Sequence, residues 1–97
     1  MLKVIIIDDE KASRDTLTGL LKRYCQNVEV IAEAEGYQQG LTIIRNNKPD
    51  IVFLDIQMPD GSGFRLLEDI GDLDFEVIFC TAYDQYAIKA IKYSALD

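Results

Sequence analysis

Lys3-Val4-Ile5-Ile6-Ile7-Asp8-Asp9-Glu10 is the stretch on which the fold turns. Its β-branched run shows no alternation of apolar with polar residues, the pattern of a strand covered on both faces, and it stops abruptly at three acidic residues. Outward from it, Leu17, Leu20, Leu21 and Tyr24 fall at i, i+3, i+4 and i+7, with Lys22 and Arg23 in the last turn, where cations suit the helix dipole. Val28 to Ala34 reads as a second strand. Tyr37, Leu41 and Ile44 mark a second helix that Asn46-Asn47-Lys48-Pro49 brings to a stop. Asp50-Ile51-Val52-Phe53-Leu54-Asp55 is a third strand, and Ile56 to Ser62, with Pro59-Asp60-Gly61 inside it, reads as a loop. Phe64, Leu67 and Ile70 form a third helical stripe, and Glu76-Val77-Ile78-Phe79-Cys80 is a fourth strand, expected to be buried. Asp84 can cap a helix running to about Tyr93, with Ala87, Ile88 and Ile91 inward. Strands and helices that alternate without a break predict an α/β, doubly wound parallel sheet with right-handed crossovers and helices on both faces.

The composition fits one such domain. The chain has 97 residues, 48% hydrophobic and 28% charged, with six glycines and two prolines, and shows no repeat, linker or low-complexity tract. Seventeen acidic against ten basic residues leave a net charge of −7, which repels a phosphate backbone and argues against direct nucleic-acid binding by this segment. The absence of histidine excludes Ser-His-Asp and Cys-His nucleophile systems, HExxH zinc sites and histidine general bases together. Cys25 and Cys80 form neither a CxxC nor a metal pair, and Cys80, inside an apolar run, reads as a reduced, buried thiol. No apolar stretch approaches the roughly 18 residues of a spanning helix, and the amino terminus turns acidic too soon for a signal peptide. The expected location is cytoplasmic, with no membrane partner.

In an open parallel sheet the ligand crevice lies beyond the carboxyl ends of the strands, where the strand order reverses. Asp8 and Asp9 follow strand one, Asp55 ends strand three and Thr81 follows strand four. If those strands are neighbours, three carboxylates and a hydroxyl converge. Carboxylates that close repel one another unless a cation joins them, and an all-oxygen set favours Mg²⁺, which leaves room for phosphate oxygens. Blander readings stand beside this one. Asp9 or Glu10 alone reads equally well as a helix N-cap, and Thr81 alone as a loop hydroxyl. Asp55 suits the cap reading less, because Met58-Pro59-Asp60-Gly61 separates it from the next helix. Gly61-Ser62-Gly63 satisfies neither a Walker nor a GxGxxG pattern and reads as turn chemistry, so phosphate is expected to arrive on something other than ATP held by this chain.

Val4-Ile5-Ile6-Ile7-Asp8-Asp9-Glu10, Asp50-Ile51-Val52-Phe53-Leu54-Asp55-Ile56-Gln57-Met58-Pro59-Asp60-Gly61-Ser62-Gly63 and Val77-Ile78-Phe79-Cys80-Thr81-Ala82 resemble the receiver domain of bacterial two-component response regulators. The resemblance covers the whole chain in the family's order. Thr81-Ala82-Tyr83-Asp84-Gln85-Tyr86-Ala87-Ile88-Lys89-Ala90 is further similar to receivers that precede a LytTR-type DNA-binding domain. It implies a receiver domain over 1–97 with the flavodoxin-like strand order 2-1-3-4-5, working as a phosphorylation switch. Asp55 would be the phosphoacceptor, fed by a phosphohistidine on a partner histidine kinase. Asp9 and Asp55 would bind Mg²⁺ with the backbone carbonyl of Gln57, and Asp8 directly or through water. Thr81 and the amide of Ala82 would hold phosphoryl oxygens. The missing histidine agrees with a donor supplied in trans, and a C-terminal output domain would lie in a longer parent.

The family continues past the segment here ending at Ala95-Leu96-Asp97 into a fifth strand, with a switch aromatic and a lysine, and a fifth helix. Without them the expectation is a receiver fold incomplete at its C-terminus that self-associates to cover the open edge of strand four, or else is only marginally stable. Two other functions compete. Haloacid-dehalogenase phosphatases also place a nucleophilic aspartate after a parallel strand with Mg²⁺, but want a second aspartate two residues on, where this chain has Gln57. A pseudo-receiver that only dimerises is opposed by the intact Asp8, Asp9, Asp55 and Thr81 and favoured by the missing lysine.

Overall fold

The computed structural model describes residues 1–80, so the helix expected from Asp84, with Thr81 and Ala82, lies outside the described residues. The elements run β1 (Leu2–Ile7), α1 (Lys11–Tyr24), β2 (Val28–Ala34), α2 (Tyr37–Asn47), β3 (Ile51–Asp55), β4 (Gln57–Met58), β5 (Gly61–Ser62), α3 (Gly63–Ile70) and β6 (Glu76–Cys80). The four longer strands form one parallel sheet in the order β2-β1-β3-β6, as the resemblance implies for strands one to four.

β1 shows why its sequence does not alternate. Neighbouring side chains of a strand point to opposite faces, and here both faces are covered. Val4 and Ile6 pack with Leu21 of α1, whereas Ile5 and Ile7 join Val52, Leu54, Val77 and Phe79 under α2 and α3. Each such side chain contributes about 1.5–3 kcal/mol by leaving water. The larger core lies on the α2/α3 side, where Tyr37, Leu41 and Ile44 are buried as their spacing predicts. The helix α2 then ends at Lys48 in the left-handed conformation, φ 44°, one residue before Pro49.

Three details differ from the sequence reading. In α1, Leu20 and Tyr24 are 48% and 71% exposed. The inward face runs through Arg14, Leu17 and Leu21 instead: Leu17 and Leu21 pack with Val4 and Ile6, and the Arg14 side chain, only 12% exposed, reaches the Asp8 carbonyl and Glu33 of β2. In β6, Val77 and Phe79 are buried but Glu76 and Ile78 are exposed, so the strand alternates rather than being buried throughout. Its inner face meets the α3 layer, with Phe79 and Phe64 rings 4.8 Å apart between centroids. Among the described residues its other face joins no core cluster. Finally, the segment read as a loop contains a small antiparallel hairpin, in which Gln57 pairs with Ser62 and Met58 with Gly61 around the Pro59-Asp60 turn.

Candidate metal centre

β1 lies between β2 and β3, so the strand order reverses between β1 and β3, and the ends of those two strands frame the crevice. The register places Ile7 beside Leu54. The next residue of each strand therefore carries a carboxylate to the same end, Asp8 from one and Asp55 from the other. One carboxylate oxygen from each of Asp8, Asp9 and Asp55 lies within 4.8 Å of the others, although Asp9 and Asp55 are far apart in sequence. Asp8 and Asp55 are half-buried and Asp9 is exposed.

Hydrogen bonds set the turn that delivers this cluster. The Asp8 amide donates to the Ala34 carbonyl at 3.0 Å, and the Asp8 carboxylate accepts from the Glu10 amide at 2.9 Å. Glu10 occupies the N-cap position of α1 without a side-chain cap bond, so Asp8 organises the turn. At β3, the Gln57 amide donates to Asp55 Oδ1 at 3.3 Å. A Cβ on Gly63 would run into the Asp55 backbone carbonyl, so α3 starts this close to the strand end only with glycine there. Ser62 accepts from the Arg65 amide at 3.1 Å and caps that helix, so Gly61-Ser62-Gly63, read as turn chemistry, instead forms the short strand β5 and the start of α3.

Electrostatics make Asp55 unlike an ordinary carboxylate. Burial first, then the charge of Asp8 and the neighbourhood of Asp9, push its pKa up to about 7, against a smaller lowering by the Gln57 amide. The donor set is all oxygen and hard, one carboxylate faces water, and a divalent cation would remove the repulsion. These residues fit Mg²⁺. Cys80, opposite Asp55 in the β3–β6 register, is a free thiol and half-buried rather than fully buried, and burial with the charges of Asp8 and Asp55 pushes its pKa up to about 11. An open cleft of about 610 Å³ adjoins the cluster at Asp9 and is lined also by Glu35, Gly36, Gln38, Gln39, Pro59 and Asp60.

The fold thus brings together Asp8, Asp9 and Asp55 and sets Gln57 beside them, while Thr81 and Ala82 fall outside the described residues. Two participants escaped the sequence reading. Arg14 donates to the Asp8 carbonyl at 2.6 Å and to Glu33 at 3.1 Å, and the signal for it was a cation in register with Leu17 and Leu21. Asp60 accepts from the Tyr37 and Gln38 amides at 2.8 and 3.2 Å, capping α2 from the hairpin. The signal there was Gly36, which occupies the N-cap position with no side chain to offer; a Cβ on it would come within 2.9 Å of Asp60 Oδ1.

Comparison with known proteins agrees with this architecture. The family model of the response regulator receiver domain matches residues 4–97. The chain is 46% identical over 99 residues to the sensory transduction protein LytT of Bacillus anthracis, all of the chain being covered and 40% of that protein. It is 41% identical over 101 residues to the transcriptional regulatory protein BtsR of Escherichia coli K12, covering 41% of it. The solution structure of the Erythrobacter litoralis PhyR response regulator receiver domain superposes with a TM-score of 0.75 at 31% identity, over 90% of this chain and 67% of that one. The chain therefore spans about 40% of the length of these curated relatives.

Proposed function

The chain belongs to the response regulator receiver domain family, and on that premise we propose that it is the phosphorylation-dependent switch of a two-component system, with Asp55 as phosphoacceptor. The observation that carries the reading is the convergence of Asp8, Asp9 and Asp55 within 4.8 Å at the carboxyl ends of adjacent strands. A carboxylate crowded this way is held ready for a reaction that brings cation and phosphate together.

In this reading residues 1–97 form one receiver domain. Asp8, Asp9, Asp55 and the Gln57 carbonyl would hold Mg²⁺, which when bound neutralises the cluster and the incoming phosphoryl oxygens. An Asp55 oxygen forms the bond to phosphorus as the phosphorus–nitrogen bond to a partner kinase's histidine breaks, the electron pair leaving with the imidazole. Asp8 and Asp9 carry negative charge that draws the cation into place, and the Asp8 turn and the hairpin after Asp55 keep the carboxylates from spreading. The Thr81 hydroxyl and the Ala82 amide would receive phosphoryl oxygens after transfer. Phosphoryl transfer asks chiefly for such positioning and charge neutralisation, so the domain signals and needs only self-catalysed transfer and autodephosphorylation.

The relatives are longer, one named a sensory transduction protein and another a transcriptional regulatory protein. We extend the proposal accordingly: the switch controls an output domain in a longer parent, a LytTR-type DNA-binding domain, and works in the cytoplasm. No helix among the described residues is long and apolar enough to cross a membrane. The net charge of −7 leaves DNA contact to the output domain.

Incubation with acetyl phosphate and Mg²⁺, followed by intact mass, tests the reading. The expected product is an acid-stable, base-labile acyl phosphate that Asp55→Asn does not form. Borohydride trapping that placed the label on Asp60 or Asp84 would overturn it.

A further inference from the structure

Arg14 stands on the inward face of α1 with Leu17 and Leu21, its side chain only 12% exposed. A guanidinium in that setting is costly unless its donors find acceptors, and two of them do. One terminal nitrogen donates to the Asp8 backbone carbonyl at 2.6 Å, and Nε donates to the Glu33 carboxylate at 3.1 Å. The first bond falls on the peptide that joins Asp8 to Asp9. The second anchors the same guanidinium to β2, one residue before Ala34, whose carbonyl takes the Asp8 amide at 3.0 Å. Asp8 is thus held on three sides: its amide by β2, its carbonyl by Arg14 and its carboxylate by the Glu10 amide at 2.9 Å.

We propose that Arg14 is the positioning residue of the Asp8-Asp9 turn, braced by Glu33, and that it sets where both carboxylates stand for the cation. The inference deepens the phosphoacceptor reading and rests on it. Its sign separates it from plain electrostatics. A cation near a cation site repels Mg²⁺, so removing one should tighten binding; removing a brace weakens it, because the carboxylates lose their fixed approach. Groups that orient direct ligands typically control metal affinity by about 10–100-fold.

The test is calorimetric Mg²⁺ titration of the whole 97-residue chain, at a temperature where circular dichroism shows each variant folded. Arg14→Met, which keeps the apolar stem, should weaken Mg²⁺ binding about 10-fold. Arg14→Lys, which can serve one of the two acceptors, should lose less, and Glu33→Gln should lose least. With acetyl phosphate, Arg14→Met should need more Mg²⁺ for its half-maximal rate yet recover the rate at saturation, a split that lowered stability alone does not produce. Unchanged or tighter Mg²⁺ binding in Arg14→Met would overturn the proposal. If the unaltered chain takes up no Mg²⁺, the phosphoacceptor reading is what fails. The brace is then read from amide exchange at Asp9 and Glu10 without metal: faster exchange in Arg14→Met and Glu33→Gln upholds it, and unchanged exchange in both sinks it.

Discussion

Two aspartates a few residues apart, Asp55 and Asp60, are treated in opposite ways by the fold. Asp60 is given donors: two amides at the start of α2 point at its carboxylate, and the helix dipole favours its charge. Asp55 is given the reverse, with burial and two like charges against a single long amide contact, and its pKa rises to about 7. The satisfied carboxylate holds the structure together. The one under repulsion is where chemistry can be bought with a cation, and this contrast separates support from site more sharply than residue type does.

The largest effect should come from Asp55→Asn, which removes the proposed phosphoacceptor. Phosphorylation by acetyl phosphate, followed by intact mass, should fall to background, whereas Asp60→Asn should keep it. Equal loss in the two variants would erase the contrast. Next in size, Asp9→Asn should weaken Mg²⁺ binding by calorimetry about 10-fold or more, since in the proposed reading Asp9 is a direct ligand, which matters at least as much as a group that orients one. Asp60→Asn should change it little.

The third effect is on stability against pH in metal-free buffer. A pKa raised from 3.8 to about 7 means that the folded chain binds the Asp55 proton more tightly than the unfolded one. This group therefore favours folding fully below about pH 4, and that contribution is lost as pH rises through 7. Urea melts should show Asp55→Asn more stable than the unaltered chain at pH 8 by about 1–2 kcal/mol, less than the buried limit because solvent screens a half-exposed carboxylate. The advantage should disappear at pH 4. An advantage that grew on acidification would contradict the assignment. Smallest, Asp60→Ala should cost about 1 kcal/mol in urea melts, the usual value of an N-cap. A cost indistinguishable from zero would show that α2 does not rely on the hairpin for its cap.

The reading of α1 shows where sequence periodicity fails. Leu17, Leu20, Leu21 and Tyr24 satisfy helical spacing, yet Leu20 and Tyr24 face water. Leu17 and Leu21 meet the sheet, and Arg14 shares their face with its guanidinium bonded to the Asp8 carbonyl and the Glu33 carboxylate. Counting apolar residues alone could not weigh that. For α2 no such competitor exists in the stripe, and Tyr37, Leu41 and Ile44 are buried as read. The candidate site was legible in part for a similar reason. Acidic residues ending apolar strands are visible in a sequence, whereas the bond from Arg14 to the Asp8 carbonyl and the capping of α2 by Asp60 join residues 6 and 23 positions apart.

The α/β alternation is set locally, since strand and helix follow from apolar spacing, turn residues and stops such as Lys48-Pro49. The sequence also places acidic residues at the ends of strands one and three. Tertiary structure decided which strands are neighbours and in what register, and so whether those carboxylates meet at all. Because Ile7 lies beside Leu54 in parallel β1 and β3, Asp8, Asp9 and Asp55 share one crevice. The high pKa of Asp55, the inward turn of Arg14 and the capping of α2 by Asp60 follow from that assembly, for burial and charge proximity are properties of the packed chain rather than of any segment in it.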